Sequence, residues 1–520
     1  MPATTRTSAP TNWPAPAWRR SRSGRWLPDK DRGASALSVL RRLNRRFRLA
    51  HDERTAHAVM ARNPLAAALS CGSVAANERT TGVQRESSSV ASCVSCRAKM
   101  IGNEPMTMIL RAAMLMATFV AGAICGPAWG QTSADATIEL KDDGSVAVSG
   151  LNRPAAGMTL PEDCRAEADN AATVTCMAER FLGMLSEEQK NQVLLPMTSE
   201  NATSWSNLPC GSSCRVGIEL ADLDEDQRQA ALGVILAASG TDADSGFDEL
   251  TQVLMADDIL TLAQDAGIAS GPGGGPPPDD MKMPDGAEAP EGGGDMGPPP
   301  DGGLAYSSNA YFIAFLGEPS TTSTWQLQFG GHHLAILHTF AAGKEIAATP
   351  NFIGIEPKVW TQDGTTYAPL TDDRDTMVDM LSSLSAEQMA KAKLSQAFSD
   401  VLLGPGKDGQ FPETKAGLPA GDLTGEQKAL VLDAMRSWVA DTSATSAASI
   451  MTQYEAELDD TYIAFSGHAT LDNHADYVRI DGPGVWIEFV CQNGVIFGDQ
   501  IHYHTIWRDH VNDYGAIYDF

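Results

Sequence analysis

The sequence predicts an α+β fold: a mainly antiparallel sheet with covering helices, built as two copies of a helix-pair plus β-hairpin unit. Three observations lead there. Four helix-start signatures fall two to each half, two apolar segments of strand length match one another, and a further β-rich stretch follows each.

The helix starts are Leu185-Ser186-Glu187-Glu188-Gln189, Leu223-Asp224-Glu225-Asp226-Gln227, Leu384-Ser385-Ala386-Glu387-Gln388 and Leu423-Thr424-Gly425-Glu426-Gln427. In each, a Leu precedes Ser, Thr or Asp, and a Gln follows three residues later. That is a capping box: the short side chain accepts from the N3 amide, and the Gln reaches back to the amide of the cap. Acidic residues in the first turn suit the positive end of the helix dipole.

The strand pair is Phe312-Ile313-Ala314-Phe315-Leu316-Gly317 against Tyr462-Ile463-Ala464-Phe465-Ser466-Gly467. The β-rich stretches 325–337 and 477–489 come next, with Gly330 and Gly482 at equivalent places. Between 270 and 303 lies a Pro/Gly/Asp-rich tract without apolar periodicity. It cannot bury enough surface to offset ordering entropy and is expected to be a disordered insertion. Met281, Met283 and Met296 lie in it among carboxylates, without a histidine and at irregular spacing.

Charge divides the chain. Residues 1–105 hold 18 Lys and Arg against 7 Asp and Glu, whereas 106–520 hold 20 against 59, for a net charge of -28 overall. At the boundary, Arg111 precedes an apolar run at 112–124 and then Gly126-Pro127-Ala128-Trp129-Gly130. A cationic start, an apolar run and small residues at -3 and -1 before Gln131 make the three-part pattern of a secretory signal peptide. The run of roughly 13 residues is short of the ~18–20 that span a bilayer. The expectation is a mis-assigned, disordered extension at 1–105, a signal peptide at 106–130 starting at Met106 or Met108, and an exported domain, periplasmic or secreted, at 131–520. The acidity of that domain argues against nucleic acid and anionic membrane as partners. The partner expected is a small-molecule ligand or substrate of unknown identity.

The exported part carries Cys164, Cys176, Cys210, Cys214 and Cys491. In an oxidising compartment the nearest pairings are Cys164–Cys176 and Cys210–Cys214, leaving Cys491 free. Cys210 and Cys214 have the alternatives of a redox pair or half a zinc site. No second cysteine pair has suitable spacing, which favours a structural disulfide.

Eight of the ten histidines follow residue 330, mostly in two clusters. One is Gly330-Gly331-His332-His333 with His338 nearby, and the other begins Ile501-His502-Tyr503-His504. Side chains at i and i+2 of a strand share a face, so His502 and His504 point the same way, as a chelating pair must. Neutral imidazoles ligate zinc, copper or iron. A third ligand is expected from His332 or His333. In a regular strand these two face opposite ways, and the parity of His338 favours His332. Glu488 offers a carboxylate ligand or a general base. Arg508 can orient an anionic substrate group through a bidentate bond, with Asp509 beside it. The competing reading of Arg508, Asp509 and Asp513 is an internal ion pair closing the last strand. His468 and His474 lie in a loop-like stretch and are expected at the surface.

No G-x-S-x-G, H-E-x-x-H, phosphate-loop or dinucleotide fingerprint is present, and no organic cofactor is indicated. The histidines allow two functions. One is a metal-dependent exported enzyme, a hydrolase or an oxidoreductase. The other is a non-catalytic binding protein with a polar pocket for a small ligand. If the histidines only knit the sheet together, each ring nitrogen should meet backbone.

Taken together, Trp325, Gly331-His332-His333-Leu334, Thr349-Pro350-Asn351-Phe352-Ile353-Gly354 and His502-Tyr503-His504-Thr505-Ile506-Trp507-Arg508-Asp509 with Asp513-Tyr514-Gly515 carry a resemblance. The chain resembles, from about Leu185 to Gly515, the exported domain-of-unknown-function family numbered 3500. The resemblance implies no reaction. It places His332, His333, His502, His504, Arg508 and Asp509 on motif positions, and leaves His338 and Glu356 off them.

Overall fold

The computed structural model describes residues 18–20, 26–28, 136–165, 170–243, 245–268 and 306–520. The expected signal peptide and the Pro/Gly-rich tract lie outside the described residues. So does the expected extension, except for two short strands, β1 (Trp18–Arg20) and β2 (Trp26–Pro28), which pair antiparallel. Every other described element belongs to the unit Cys125–Phe520.

All four capping boxes form. They open α2 (Glu187–Val193), which follows α1 (Asn170–Met184), and α4 (Glu225–Ala238), which follows the single turn α3 (Ser199–Ala202). After α5 (Phe247–Asp265) and α6 (Thr371–Ser382), the other two boxes open α7 (Ala386–Ala392) and α8 (Gly425–Val439); α9 (Ala444–Glu457) comes last. The capping glutamines also meet one another. Gln189 Nε2 donates to Gln227 Oε1 at 3.0 Å, and Gln388 Nε2 donates to Gln427 Oε1 at 3.1 Å. Gln227 and Gln427 then donate to the carbonyls of Met184 and Ser383, so each pair ties two helix starts to the end of a third helix.

A small sheet holds β3 (Thr137–Leu140), β4 (Val146–Ser149), β12 (Trp360–Gln362) and β13 (Thr365–Tyr367). The large sheet has 12 strands. From the first half come β5 (Leu194–Leu195), β6 (Ile218–Glu219), β7 (Phe312–Leu316), β8 (Trp325–Gly331), β9 (Leu334–Ala341), β10 (Lys344–Ala347) and β11 (Asn351–Ile355). From the second come β14 (Leu418–Pro419), β15 (Tyr462–Ser466), β16 (Tyr477–Asp481), β17 (Val485–Asn493) and β18 (Ile501–Asp509). Their order is β14-β15-β16-β17-β18-β11-β9-β8-β7-β5, with β6 also on β7 and β10 also on β9. Every pairing in this sheet is antiparallel except β5 with β7. Each half runs through a helix pair, a short strand on the edge of the next hairpin, a second helix pair and then that hairpin.

The central strands are buried along nearly their whole length, so both faces need cover. Long helices supply it on one side only. There Phe315, Leu327, Ile353, Ile487, Phe489 and Trp507 pack with Phe181, Ile259 and Trp438. The opposite face, with Leu337, Phe352, Val490 and Ile506, is closed by irregular chain carrying Trp205, Phe398, Val401 and Tyr514. Cys164–Cys176 and Cys210–Cys214 form disulfides with Cα separations of 5.4 and 5.9 Å. Cys491 is free and buried, and burial pushes its thiol up to about 12.

Candidate metal centre

The centre lies where the two halves join in the sheet, on the face closed by irregular chain. His502 and His504 share that face of β18, and His504 is in register with Gly354 of β11 and Val490 of β17. Their Nε2 atoms are 3.2 Å apart. The far nitrogen of His504, Nδ1, lies 3.0 Å from Oδ1 of Asp400, which arrives in the covering chain between α7 and α8.

His332 and His333 do not stand on opposite faces of a strand. They form the two-residue turn between β8 and β9, and His333 takes a left-handed backbone with φ 61°. The turn removes the parity on which the expectation rested. The two rings lie 3.7 Å apart between centroids, and His333, not His332, is the one that joins the pair. The His333 ring is 5.1 Å from that of His504 and 5.5 Å from that of His502. One ligand atom from each of His333, His502 and His504 lies within 4.8 Å of the others; the same holds for Asp257, His332 and His333. All five side chains are buried.

A carboxylate stands behind each end of the cluster. Asp257, in the fully packed middle of α5, places Oδ1 2.8 Å from Nδ1 of His332 and accepts the Tyr311 hydroxyl on Oδ2 at 2.8 Å. Arg215 braces the turn, donating through Nη2 to the carbonyls of Ser206, Leu208 and Gly331, while Nη1 meets the sulfurs of Cys210 and Cys214. Burial, with His332, His504 and His502 alongside, holds the His333 imidazole well below its usual range. Burial and the neighbouring His504 and His332 do the same to His502. Both rings are therefore neutral and have a lone pair to offer.

A family model described as "Protein of unknown function (DUF3500)" matches residues 167–516. The chain belongs to the DUF3500 family. No curated protein and no solved structure matches it.

In this DUF3500 chain the remaining expected site residues stand apart from the histidines. Glu488 shares the sheet face of His504 but accepts from the amides of Leu402 and Leu403, the Trp486 indole and the Tyr477 hydroxyl. Those four donors occupy its oxygens, and their arrangement holds the covering chain down rather than a substrate. Arg508 has no exposed side-chain surface and pairs with Asp408 and Asp513, with Trp205 and Tyr514 over its guanidinium. That is the internal ion-pair arrangement. Asp509 points to the helix side, where its Oδ1 accepts from the amides of Val511 and Asn512. His338 also faces the helices and pairs with Glu345. His468 pairs with Asp476 and its side chain is 71% exposed. Glu356, off the motif, is buried near His332 and accepts from the amides of Ile496 and Phe497.

Sequence reasoning missed Asp257, Asp400 and Arg215, and met Gly354 only as part of a motif. Asp257 and Asp258 did carry a signal, as adjacent carboxylates in the otherwise apolar run 253–260. Asp400 carried none: it is 104 residues from its histidine, in irregular chain.

Proposed function

We propose that this DUF3500 protein is an exported metalloprotein holding a divalent transition ion on His333, His502 and His504. The observation that carries the reading is the separation of the two Nε2 atoms. Ligands on bonds of 2.0–2.1 Å at a tetrahedral angle stand about 3.3 Å apart, and these stand 3.2 Å apart. Asp400 on the opposite nitrogen of His504 matches the carboxylate–histidine–metal relay that fixes a ligating tautomer. Nδ1 of His332 and Nδ1 of His504 meet carboxylates, and the Nε2 atoms of His502 and His504 meet one another, contacts that histidines merely knitting the sheet would not make; of the four, His502 also bonds the backbone of Asn493. Export rests on the leader pattern, and the two cysteine pairs agree with an oxidising compartment. Among the described residues no helix is long and apolar enough to cross a membrane.

Three neutral nitrogen ligands with a fourth position open would supply a Lewis acid and an activated water, the basis of a metal-dependent enzyme. The burial of all three histidines favours a second reading, a closed site that binds without catalysing. Elemental analysis tests the metal: at least one zinc, copper or iron per chain is expected, and a His504→Ala protein should lose it. A metal-free wild-type protein that takes up none on dialysis would refute the proposal. In a cobalt-loaded sample, a visible spectrum that shifts with added azide indicates the open position; an unchanged spectrum indicates the closed site.

A further inference from the structure

We propose a second metal site beside the first, formed by Asp257 and His332, with His333 shared between the two ions. It rests on the reading of His333, His502 and His504 as metal ligands. Asp257, His332 and His333 offer ligand atoms within 4.8 Å of one another, as the first three histidines do. Oδ1 of Asp257 and Nδ1 of His332 are 2.8 Å apart. Two ligands on bonds of 2.0–2.1 Å at a tetrahedral angle stand about 3.3 Å apart, so an ion that replaces the proton between them needs the pair to open by about half an ångström.

Two features of the surroundings fit a cation there. The Tyr311 hydroxyl lies 2.8 Å from Oδ2 of Asp257 and 2.7 Å from the carbonyl oxygen of His332. One proton faces two acceptors, which leaves one of these buried oxygens short of a donor that a cation could replace. Nδ1 of His333 is buried without a hydrogen-bond partner. A buried ring nitrogen left bare is costly unless something binds it. An imidazole carries its nitrogens on opposite edges, so one ring can serve two ions. To do so it gives up its N–H proton to water and binds as imidazolate, one lone pair to each ion.

The competing arrangement has one ion, with Asp257 only orienting His332. Metal stoichiometry separates them. The full chain, stripped with a chelator, dialysed against zinc chloride and desalted, should hold two zinc ions by plasma mass spectrometry. Asp257→Asn and His332→Gln should each hold one, with metal-free melting curves close to that of wild type to show that they fold. One zinc in wild type overturns this proposal and leaves the first site standing, whereas none overturns both. Two in either variant overturns the ligands assigned. Copper gives a readout independent of the variants. Two Cu(II) ions across a shared imidazolate couple antiferromagnetically, so wild type should show a weakened paramagnetic resonance signal. Two full, uncoupled signals overturn the sharing of His333.

Discussion

A methyl group on Gly354 would lie 2.7 Å from Cδ2 of His333 and 2.8 Å from Cδ2 of His504. Both rings therefore rest against bare backbone, and the Gly354 amide also donates to the His333 carbonyl at 2.7 Å. Gly354→Ala should push the rings apart. We expect zinc affinity to fall at least about tenfold, roughly 1.4 kcal/mol, and overpacking to cost about 1–3 kcal/mol of stability. Competition titration against a chelator and urea unfolding of the metal-free protein measure the two effects separately. Unchanged affinity would mean that the rings do not meet over this glycine. At this scale the sequence was legible where a rule needed only neighbours. The shared face of His502 and His504 follows from strand alternation alone. The choice of His333 over His332 depends on a left-handed turn residue, which alternation cannot foresee. Asp400 depends on tertiary packing.

The β8–β9 hairpin carries its histidines at the tip, where a free turn would move most. Arg215 holds it there, with three carbonyls on one nitrogen and a disulfide loop on the other. Burial pulls this guanidinium down to about 10, and Tyr311 and Asp257 act against that. It stays charged at neutral pH. Arg215→Met fills similar space and leaves the three carbonyls without their donor. We expect it to cost about 2–4 kcal/mol, the range for breaking a buried charged network, and to weaken zinc binding. Differential scanning calorimetry with and without zinc checks both, and a melting point within about 1 °C of wild type would contradict the brace. The four capping boxes were legible because a cap, its amide and its glutamine lie within four residues of one another. The glutamine pairs and the Arg215 brace were not, since each joins elements far apart in sequence. For the same reason the alternation of each strand could not reveal that only one face of the sheet carries the long helices.

Across the whole molecule the two halves meet in the sheet and again in the helix layer. In the sheet they meet at β11 and β18, beneath the histidines. In the helix layer they meet where Ser239 bridges Thr442, beside three buried carboxyl groups: Glu249 of α5, Asp373 of α6 and Asp441 just past α8. Asp441 accepts the Gly246 amide at 2.8 Å, Glu249 accepts the Leu370 amide at 3.0 Å, and the two acids share a hydrogen bond. Burial raises all three, Asp441 to about 7, with the Gly246 amide, the Glu249 hydrogen bond and then His338 opposing the rise there. Proton counting gives the sign. Above about pH 4 the unfolded chain releases the proton of Asp441, while the folded chain keeps it until about pH 7. In that window the folded state binds more protons, so stability falls as pH rises; above it the loss is complete and constant. Asp441→Asn keeps an acceptor for the Gly246 amide and removes the titration. The stability of the variant relative to wild type should therefore improve from pH 4 to pH 7, by as much as about 4 kcal/mol for three pKa units. Urea unfolding of both proteins at half-unit steps measures the difference directly, which cancels the titrating groups outside this cluster; Glu249 and Asp373, which Asp441 itself pushes up, change with it. A difference that stays flat across the window would mean that Asp441 is ionised in the folded protein and that the seam between the halves holds a charge.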